Sequence, residues 1–227
     1  QASVLLESEH LRSRLPEMER MFHVPIPILM PDGSIEIPKP GYDPRFKSWL
    51  AHDAPQLRRM SLQEAKGWIH ELLKEFCFRD QQALIHAIAA TLTPFCRGLY
   101  PRWTCRVPLF AYEANRPRSG KDYLAGNNAI IHEGRDIEDA PIPPDSQELR
   151  KKITATLMSG RRRVHFANCR GFLNSDVLEN ITTSEQWADR LLGYNQEVTL
   201  GNELEFSLSA NIGLTYTPDF ANRIRKI

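Results

Sequence analysis

One short loop contains the residues in this sequence that are best suited to chemistry. It reads ANRPRSGKD over residues 114–122 and follows the apolar run 107–110. The common phosphate-binding pattern has Gly, four variable residues, Gly, Lys and then Ser or Thr. Gly120 and Lys121 match it, while Asn115 and Asp122 stand at the first glycine and hydroxyl positions. Two of the four fixed positions therefore match a nucleotide-binding loop, and an ordinary surface loop stays an alternative.

The chemistry expected of this loop is phosphate and metal binding. Backbone N–H groups at a helix start, together with a lysine, surround phosphates with positive potential. The usual hydroxyl residue binds Mg²⁺, and a carboxylate at position 122 is an even harder oxygen ligand for the metal. It is equally a favourable acid in the first turn of a helix. The candidate contacts for ATP and Mg²⁺ are Asn115, Ser119, Gly120, Lys121 and Asp122, with Asp122 as metal ligand.

Composition limits the classes of protein to which the loop could belong. The chain has 227 residues, of which 41% are hydrophobic and 25% charged, enough for a globular core. The 29 Lys and Arg nearly cancel the 28 Asp and Glu, which excludes a polybasic binder. Any nucleic-acid contact must come from local clusters, such as Arg150–Lys152 and Arg161–Arg163. Solvated surface charge explains these clusters equally well.

Cysteine spacing and hydropathy indicate the compartment. The four cysteines form no Cys-x-x-Cys pair, so we expect neither a zinc site nor a disulfide framework. This cysteine usage predicts a protein of the reducing cytoplasm. No apolar run approaches the roughly 18–20 residues of a membrane span, and the amino end lacks a signal-peptide pattern. Since the chain opens on Gln1, we expect it to be part of a longer protein.

Local signals predict the elements of the first half of the chain. Leucines at helical spacing predict an amphipathic helix over residues 1–22, and Pro31–Ser34 predicts a tight turn or hairpin. A capping box at Ser61–Glu64 predicts the start of one helix, and a second helix follows Asp80 and should end before Pro94.

In the second half the pattern alternates between strand and helix. Strands are predicted at 107–112, 164–167 and 204–208, and helices at 120–133 and 145–159. This order is typical of an α/β sheet with crossover connections. We divide the chain into an amino-terminal helix and proline-rich segment (1–60), a small helical subdomain (61–104) and an α/β core (105–227).

The blocks from about residue 41 onward resemble a known family. They are PLFAYEANRPRSGKDYLAG, ELRKKITATLMSGRRRVHFANC, TTSEQWADRLLGYNQEVTLGNELEFSLSANIG and TPDFANRIRKI, in family order. Together they resemble the AAA+ type P-loop NTPase domain of helicase-like replication proteins from phages, prophages and plasmids, which is often joined to a primase domain. The resemblance implies a P-loop core whose carboxyl-terminal lid would lie beyond residue 227.

Residue by residue, the resemblance implies the following roles. The loop matches the Walker A motif, with Lys121 on the phosphates. VHFAN matches the Walker B strand, but Ala167 stands where an acid is usual, while Asn168 is retained. Asn211 ends the sensor-1 strand and would sit near the γ-phosphate and the attacking water. Arg223 is the candidate arginine finger toward a neighbouring subunit's nucleotide, with Arg225 as second choice.

The function that the resemblance implies is an ATP-dependent DNA helicase or translocase. It would act in the cytoplasm as a homo-oligomeric ring on single-stranded DNA, with a primase domain or partner and no membrane association. A hairpin over 196–205, turning near Gly201-Asn202, would face the ring channel. Trp187, Asp189, Arg190 and His165 are interpreted as structural.

Two changes leave alternatives open. A carboxylate is lost at Ala167 and one is gained at Asp122, so Asp122 could replace the lost acid. Alternatively, both changes mark a P-loop protein that does not hydrolyse ATP and acts as a scaffold or as a nucleotide-sensing, DNA-binding module. A small-molecule phosphotransferase would use the same loop but leaves the later blocks unexplained.

Overall fold

The chain begins with short strands that form two small sheets. A computed structural model describes residues 13–116, 118–191, 196–211 and 213–227. In the first half the strands are β1 (Arg20–Phe22), β2 (Ile28–Leu29), β3 (Ile35–Glu36), β4 (Gly41–Asp43) and β5 (Ser48–Leu50). Strands β1, β5 and β4 form one sheet in that order, and β2 pairs with β3 as an antiparallel hairpin.

The hairpin confirms the predicted turn, whereas the predicted amino-terminal helix is wrong in its last residues. Gly33 takes a φ of 84° in the turn, and the Met30 amide donates to the Ser34 carbonyl. Arg20–Phe22 is a strand because it pairs in parallel with Ser48–Leu50, and Phe22 is buried in the apolar cluster below that sheet. Residues 1–12 of the predicted helix lie outside the described residues.

Two helices follow, α1 (Leu62–Leu73) and α2 (Gln81–Cys96), joined to a short 3₁₀ turn at Arg97–Leu99. The predicted capping box of α1 is confirmed by reciprocal bonds between Ser61 and Glu64. The predicted end of α2 before Pro94 is wrong, because the helix continues through it to Cys96. A proline removes one helical hydrogen bond. The next residue, Phe95, packs against the amino-terminal cluster.

The remaining elements belong to the α/β part of the chain. The strands are β6 (Leu109–Ala114), β7 (Arg163–Cys169), β8 (Phe172–Leu173), β9 (Gln186–Arg190), β10 (Glu197–Gly201), β11 (Glu205–Asn211), β12 (Thr215–Tyr216) and β13 (Ile224–Lys226). The helices are α3 (Lys121–Glu133), α4 (Ser146–Met158), α5 (Asp176–Ile181) and α6 (Pro218–Ala221).

Four of these strands form a parallel sheet in the order β13-β6-β11-β7. This arrangement confirms the predicted α/β architecture with crossover connections, and α3 and α4 begin and end within a residue of their predicted bounds. Because the carboxyl ends of parallel strands share one edge, the residues that follow β6, β11 and β7 are neighbours. The sheet thus brings together segments far apart in sequence.

Helices cover both faces of this sheet. On one face α1, α2 and α3 pack through Leu73, Ala87 and Leu124 against Phe110 and Tyr112 of β6. On the other face α4 and α5 pack against β7 and β11 in the largest apolar cluster, which includes Ile153, Phe166, Leu178, Trp187 and Phe206. Residues 61–104 therefore share a hydrophobic core with the sheet.

The amino-terminal sheet attaches at the end of α2. Phe22 and Leu50 pack with Phe95 and Trp103. Gly98 allows this contact, because a Cβ there would lie 2.2 Å from the Pro27 carbonyl oxygen.

The predicted hairpin turn at Gly201-Asn202 is wrong. Strand β9 pairs antiparallel with β10 and Arg190 lies opposite Glu197, so the chain reverses between these two residues. Residues 192–195 of that connection lie outside the described residues. Asn202 is buried instead, and its side-chain amide donates to the carbonyls of Ile181 and Ser184 at 2.6 and 2.8 Å. Asparagine is common in turns, but Asn202 instead connects the end of β10 to the segment after α5 through these hydrogen bonds.

Across the described ranges, no helix combines the length and the apolar character required to span a bilayer.

Candidate functional site

The loop of interest lies between β6 and α3, at the carboxyl edge of the parallel sheet. Strand β6 ends at Ala114, which lies opposite Asn211 at the end of β11. Helix α3 begins at Lys121 after Gly120, whose φ is 88° and which offers no side-chain cap. The other α-helices of the described residues are capped by the side chains of Ser61, Asp80, Asp145, Ser175 and Thr217. The first N–H groups of α3 therefore meet no capping side chain.

The predicted contact residues of the loop lie around this helix start. Asn115 and Ser119 are exposed, and so are Arg116 and Arg118, which form no ion pair with another described residue. Arg118 has a φ of 58°, close to the left-handed conformation of Gly120. Residue 117 lies outside the described residues. The strand, loop and helix that the phosphate-binding pattern requires are thus present in order.

Lys121 and Asp122 form an ion pair. The Lys121 ammonium lies 2.9 Å from Oδ2 of Asp122, and its side chain is only 8% exposed. Partial burial favours the neutral form of Asp122, but hydrogen bonds from Lys121 and Ser209 outweigh it, so that the pKa of Asp122 is lowered. Asp122 is therefore a carboxylate at neutral pH, and in this structure it holds the lysine expected to bind phosphate.

The surroundings of Asp122 lie next to the position of the missing acid. Its carboxylate interacts with Ser209 of β11 and with His165 of β7. Side chains alternate along a strand, so Ala167 points to the same side of β7 as His165. Ser209 is fully buried, and its hydroxyl accepts from the amide of Asn168, the residue after Ala167. Asp122 thus extends a carboxylate from the loop toward the space that a longer side chain at position 167 would enter.

A second carboxylate, Asp139, lies near the same point and was missed by the sequence analysis. The segment before α4 runs parallel to β7, with Ala140 opposite Phe166 and the Ala167 amide donating to the Ala140 carbonyl at 2.9 Å. Burial, then Asp122 and then Asp136 raise the pKa of Asp139. Asp139 is too far from Asp122 in sequence for any local pattern to connect the two residues. The parallel pairing with β7 brings the two together.

His165 was interpreted as structural, and it is indeed buried within β7. Its Nδ1 lies 2.9 Å from the Ser207 hydroxyl, whereas its Nε2 is buried without a hydrogen-bond partner and lies 3.9 Å from Oδ1 of Asp139. Burial lowers the pKa of His165 to about 4, although Asp122 opposes the shift. The imidazole is therefore neutral and lies near the carboxylates of Asp122 and Asp139. The sequence signal for this residue was a histidine inside an otherwise apolar strand.

Asn211, the predicted sensor-1 residue, ends the strand beside the loop. Its side-chain oxygen is buried and has no hydrogen-bond partner. Its Cα lies opposite that of Ala114, the residue that precedes Asn115. The sheet therefore brings Asn211 to the loop, and its sensor-1 role stays a prediction.

Arg223, the predicted arginine finger, bonds within its own chain. Its guanidinium donates to the Glu179 carbonyl at 3.0 Å, and the Glu179 side chain accepts from Thr217. Arg225 donates to the carbonyls of Asn222 and Ile224. Among the described residues neither arginine bonds to residues 115–122, so the finger role stays a prediction about a second subunit.

The two basic clusters are largely engaged inside the chain. Arg150 lies over the Trp187 ring and pairs with Asp189, Lys151 pairs with Glu148, and Lys152 lies over Phe166. Arg162 lies over the rings of Phe22 and Trp103, Arg163 pairs with Glu205, and Arg161 pairs with Glu138. Arg150, Lys152, Arg162 and Arg163 thus connect elements of the fold, whereas Lys151 and Arg161 form ion pairs exposed to solvent.

The interpretation of Trp187 and Asp189 as structural is confirmed. Trp187 is 1% exposed, and its indole N–H donates to the Thr154 hydroxyl at 2.8 Å. Asp189 accepts from Thr154 and from the Arg190 amide.

Neither a protein-family model nor a curated protein sequence matches this chain.

Proposed function

We propose that the chain is an ATP-binding P-loop domain of the AAA+ type that acts as a DNA helicase or translocase. The observation that supports it best is the position of Asp122. Its carboxylate extends from the start of α3 to Ser209 and His165, beside Ala167. A carboxylate absent from the Walker B strand has a counterpart on the facing loop. The contacts of Asp122 with Ser209 and His165 support the hypothesis that Asp122 replaces the acid absent at position 167.

The phosphates would bind at the start of α3. Gly120 leaves the first N–H groups of the helix without a side-chain cap, and a helix start attracts anions. Lys121 would turn from Asp122 to the β- and γ-phosphates, and the exposed Arg116 and Arg118 add positive charge. The residues at the edge of the sheet thus fit a triphosphate.

A divalent cation would be held on the inner side of the loop by Asp122, which is a carboxylate at neutral pH. The described residues contain no group of three His, Cys, Asp or Glu side chains that could hold a metal, so phosphate oxygens and water would supply the other ligands. We assign Asp122 as the protein ligand for Mg²⁺. A bound cation supplies charge neutralisation on the β- and γ-phosphates.

Asn211 would position the attacking water. Asn211 ends β11 opposite Ala114, and its side-chain oxygen is buried without a hydrogen-bond partner. Holding the attacking water in the productive orientation raises the rate of hydrolysis. Arg223 would contact the nucleotide of a neighbouring subunit in a ring. Its guanidinium would first have to break its hydrogen bond to the Glu179 carbonyl.

The direct experiment is ATP hydrolysis with and without single-stranded DNA. We expect DNA-stimulated phosphate release that is lost in Lys121→Ala and kept in Lys74→Ala, which removes an exposed lysine paired with Glu71 on α1. Equal rates in the two variants would contradict the proposed function.

One observation favours a second candidate, a P-loop module that binds nucleotide without hydrolysing it. Ala167 and Asn168 leave the Walker B strand without any carboxylate, so no acid on that strand can polarise water. Such a module would bind ATP and single-stranded DNA and release no phosphate. Nucleotide affinity lost in Lys121→Ala, without turnover in the unaltered protein, would identify it.

A further inference from the structure

The turn between β7 and β8 presents an aromatic ring to solvent. Of the ten phenylalanines in the chain, all of which lie in the described ranges, only Phe172 is exposed. Its exposed fraction is 63%, whereas the next residue, Leu173, is buried in the largest apolar cluster. Successive side chains of a strand point to opposite sides, so the Phe172 ring points away from the core. Packing within the chain therefore does not explain this phenylalanine.

Backbone pairing anchors the turn at both ends. Cys169 lies opposite Ala210 of β11, and Phe172 lies opposite Thr215 of β12. The Thr215 amide donates to the Gly171 carbonyl at 2.9 Å. Thr215 is small and itself exposed, so it leaves the phenyl ring uncovered. A ring that is held in place and open to solvent loses little conformational entropy when a ligand packs on it.

The same turn carries a positive charge without a partner. The Arg170 side chain is exposed and forms neither an ion pair nor a hydrogen bond with another described residue. No acidic residue occurs in the segment 163–175. In the two basic clusters, 150–152 and 161–163, each side chain is instead engaged in an ion pair or lies over an aromatic ring. Arg170 can therefore bind an anion without first leaving a partner.

An unpaired guanidinium and an exposed phenyl ring in one turn fit a single strand of nucleic acid. Bases of a single strand stack on aromatic side chains, and arginines contact the phosphates of its backbone. In a duplex the bases are stacked on one another and cannot cover the ring. The combination of charge and aromatic surface therefore favours single strands over duplexes.

We propose that Phe172 and Arg170 bind single-stranded DNA, with a base stacked on the ring and a phosphate at the guanidinium. The choice of DNA as the ligand rests on the proposed function. The turn begins opposite Ala210, one residue before Asn211, which lies opposite Ala114 at the start of the loop 114–122. The bound strand thus lies at the same edge of the sheet as the loop.

The test measures the affinity for a fluorescent oligothymidylate by anisotropy, without nucleotide. Phe172→Ala should weaken binding at least about fivefold, because a stacked base loses its platform. Phe172→Trp should keep the affinity, since it restores an aromatic face. The matched control is Trp68→Ala, because Trp68 is also 63% exposed but lies on α1. That variant should bind as the unaltered chain does, and urea denaturation should show the same stability for Phe172→Ala and Phe172→Trp.

The dependence of binding on salt tests Arg170. The loss of one phosphate contact in Arg170→Ala should reduce the slope of log affinity against log salt concentration by about 0.7. Phe172→Ala should leave this slope unchanged, because the ring carries no charge. The control is Arg106→Ala, which removes an exposed arginine that precedes β6 at the opposite edge of the sheet. An oligonucleotide that contains iodouracil should cross-link to Phe172 on irradiation, which locates the stacked base.

The outcomes separate this inference from the proposed function. No binding of the oligothymidylate by the unaltered chain, or unchanged affinity in Phe172→Ala, overturns the DNA surface. Self-association that is lost in Phe172→Ala while DNA affinity stays the same would overturn it as well, and would assign the ring to a contact between copies of the chain. Phe172-dependent binding of single-stranded DNA in a chain that hydrolyses no ATP supports the surface and contradicts the proposed function. DNA-stimulated hydrolysis that is unchanged in both Phe172→Ala and Arg170→Ala does the reverse.

Discussion

Lys121 and Asp122 are sequence neighbours at the start of α3, and their side chains form an ion pair with 2.9 Å between Nζ and Oδ2. Asp122 interacts with Ser209 on β11 and with His165 on β7, the strand that also contains Ala167. Under the proposed function, the same carboxylate restrains the lysine that would bind phosphate and lies near the position where the Walker B acid is expected. Nucleotide binding would then separate the two side chains.

The backbone at Gly120 gives the first prediction. Its φ of 88° is a left-handed conformation that costs a non-glycine residue about 1–2 kcal/mol. Gly120→Ala should therefore lower the free energy of unfolding by that amount and also weaken ATP binding, since the cradle changes shape. Gly134→Ala is the control, because Gly134 ends the same helix at a φ of 67°. Urea denaturation should show similar losses in both, and ATP titration a loss only in Gly120→Ala.

Arg162 should act on stability. It is partly buried over the rings of Phe22 and Trp103 and pairs with Glu203. Arg162→Ala removes this partly buried pair and both ring contacts, and it should lower the free energy of unfolding by about 1–3 kcal/mol. The neighbouring Arg161→Ala, which loses an exposed pair with Glu138, should change it by less than about 1 kcal/mol. Equal losses in denaturant melts would contradict the described packing of this cluster.

The buried histidines predict a pH dependence of stability. Burial lowers the pKa of His165 to about 4 and that of His132 to about 3, against about 6.5 in an unfolded chain. Between pH 6.5 and 4 the unfolded chain therefore binds more protons, so the free energy of unfolding falls as the pH falls. At pH 5 the loss should reach about 2 kcal/mol per histidine.

Urea denaturation at pH 7, 6 and 5 checks this dependence. The slope with pH should decrease in His165→Gln and stay unchanged in His70→Gln, which alters an exposed residue of α1. A slope that is the same in all three proteins would refute the neutral, buried state of His165.

Thr154 should stabilise the segment that contains Trp187. Its hydroxyl accepts from the buried indole at 2.8 Å and contacts Asp189 at 2.7 Å. Thr154→Val leaves the indole N–H without a partner and should cost about 1–3 kcal/mol. In Thr156→Val the lost hydroxyl bonds only to the Lys152 carbonyl of its own helix, and little change is expected. Thermal melts of the two variants give the comparison, and a larger loss in Thr156→Val would be the contrary result.

The sequence predicts those parts of the fold that depend on neighbouring residues. Ser61, Asp145 and Gly134 are local signals for helix ends, and the structure confirms all three. Pro94 and Asn202 mislead because tertiary contacts decide their roles. Phe95, next to Pro94, packs against the amino-terminal cluster, and Asn202 bonds to carbonyls near α5.

The candidate site was predictable only in its loop. Gly120, Lys121 and Asp122 are adjacent in sequence and form the pattern that we recognised. Asp139 reaches the site because its segment pairs with β7, and no spacing rule connects it to Asp122. Ser209 and His165 belong to apolar strands whose order, with β11 between β6 and β7, follows from packing of the whole sheet.

The most direct measurement is the affinity for ATP in the presence of Mg²⁺ or Mn²⁺ in a reciprocal exchange of the two altered positions. Asp122→Ser should weaken metal-dependent ATP binding at least about tenfold, and adding Ala167→Asp to it should restore the affinity, because the carboxylate returns from the other side. Ala167→Asp alone places two carboxylates together and should not improve binding. Unchanged metal-dependent affinity in Asp122→Ser, or no recovery in the folded double variant, would contradict the exchange of the acid between β7 and the loop.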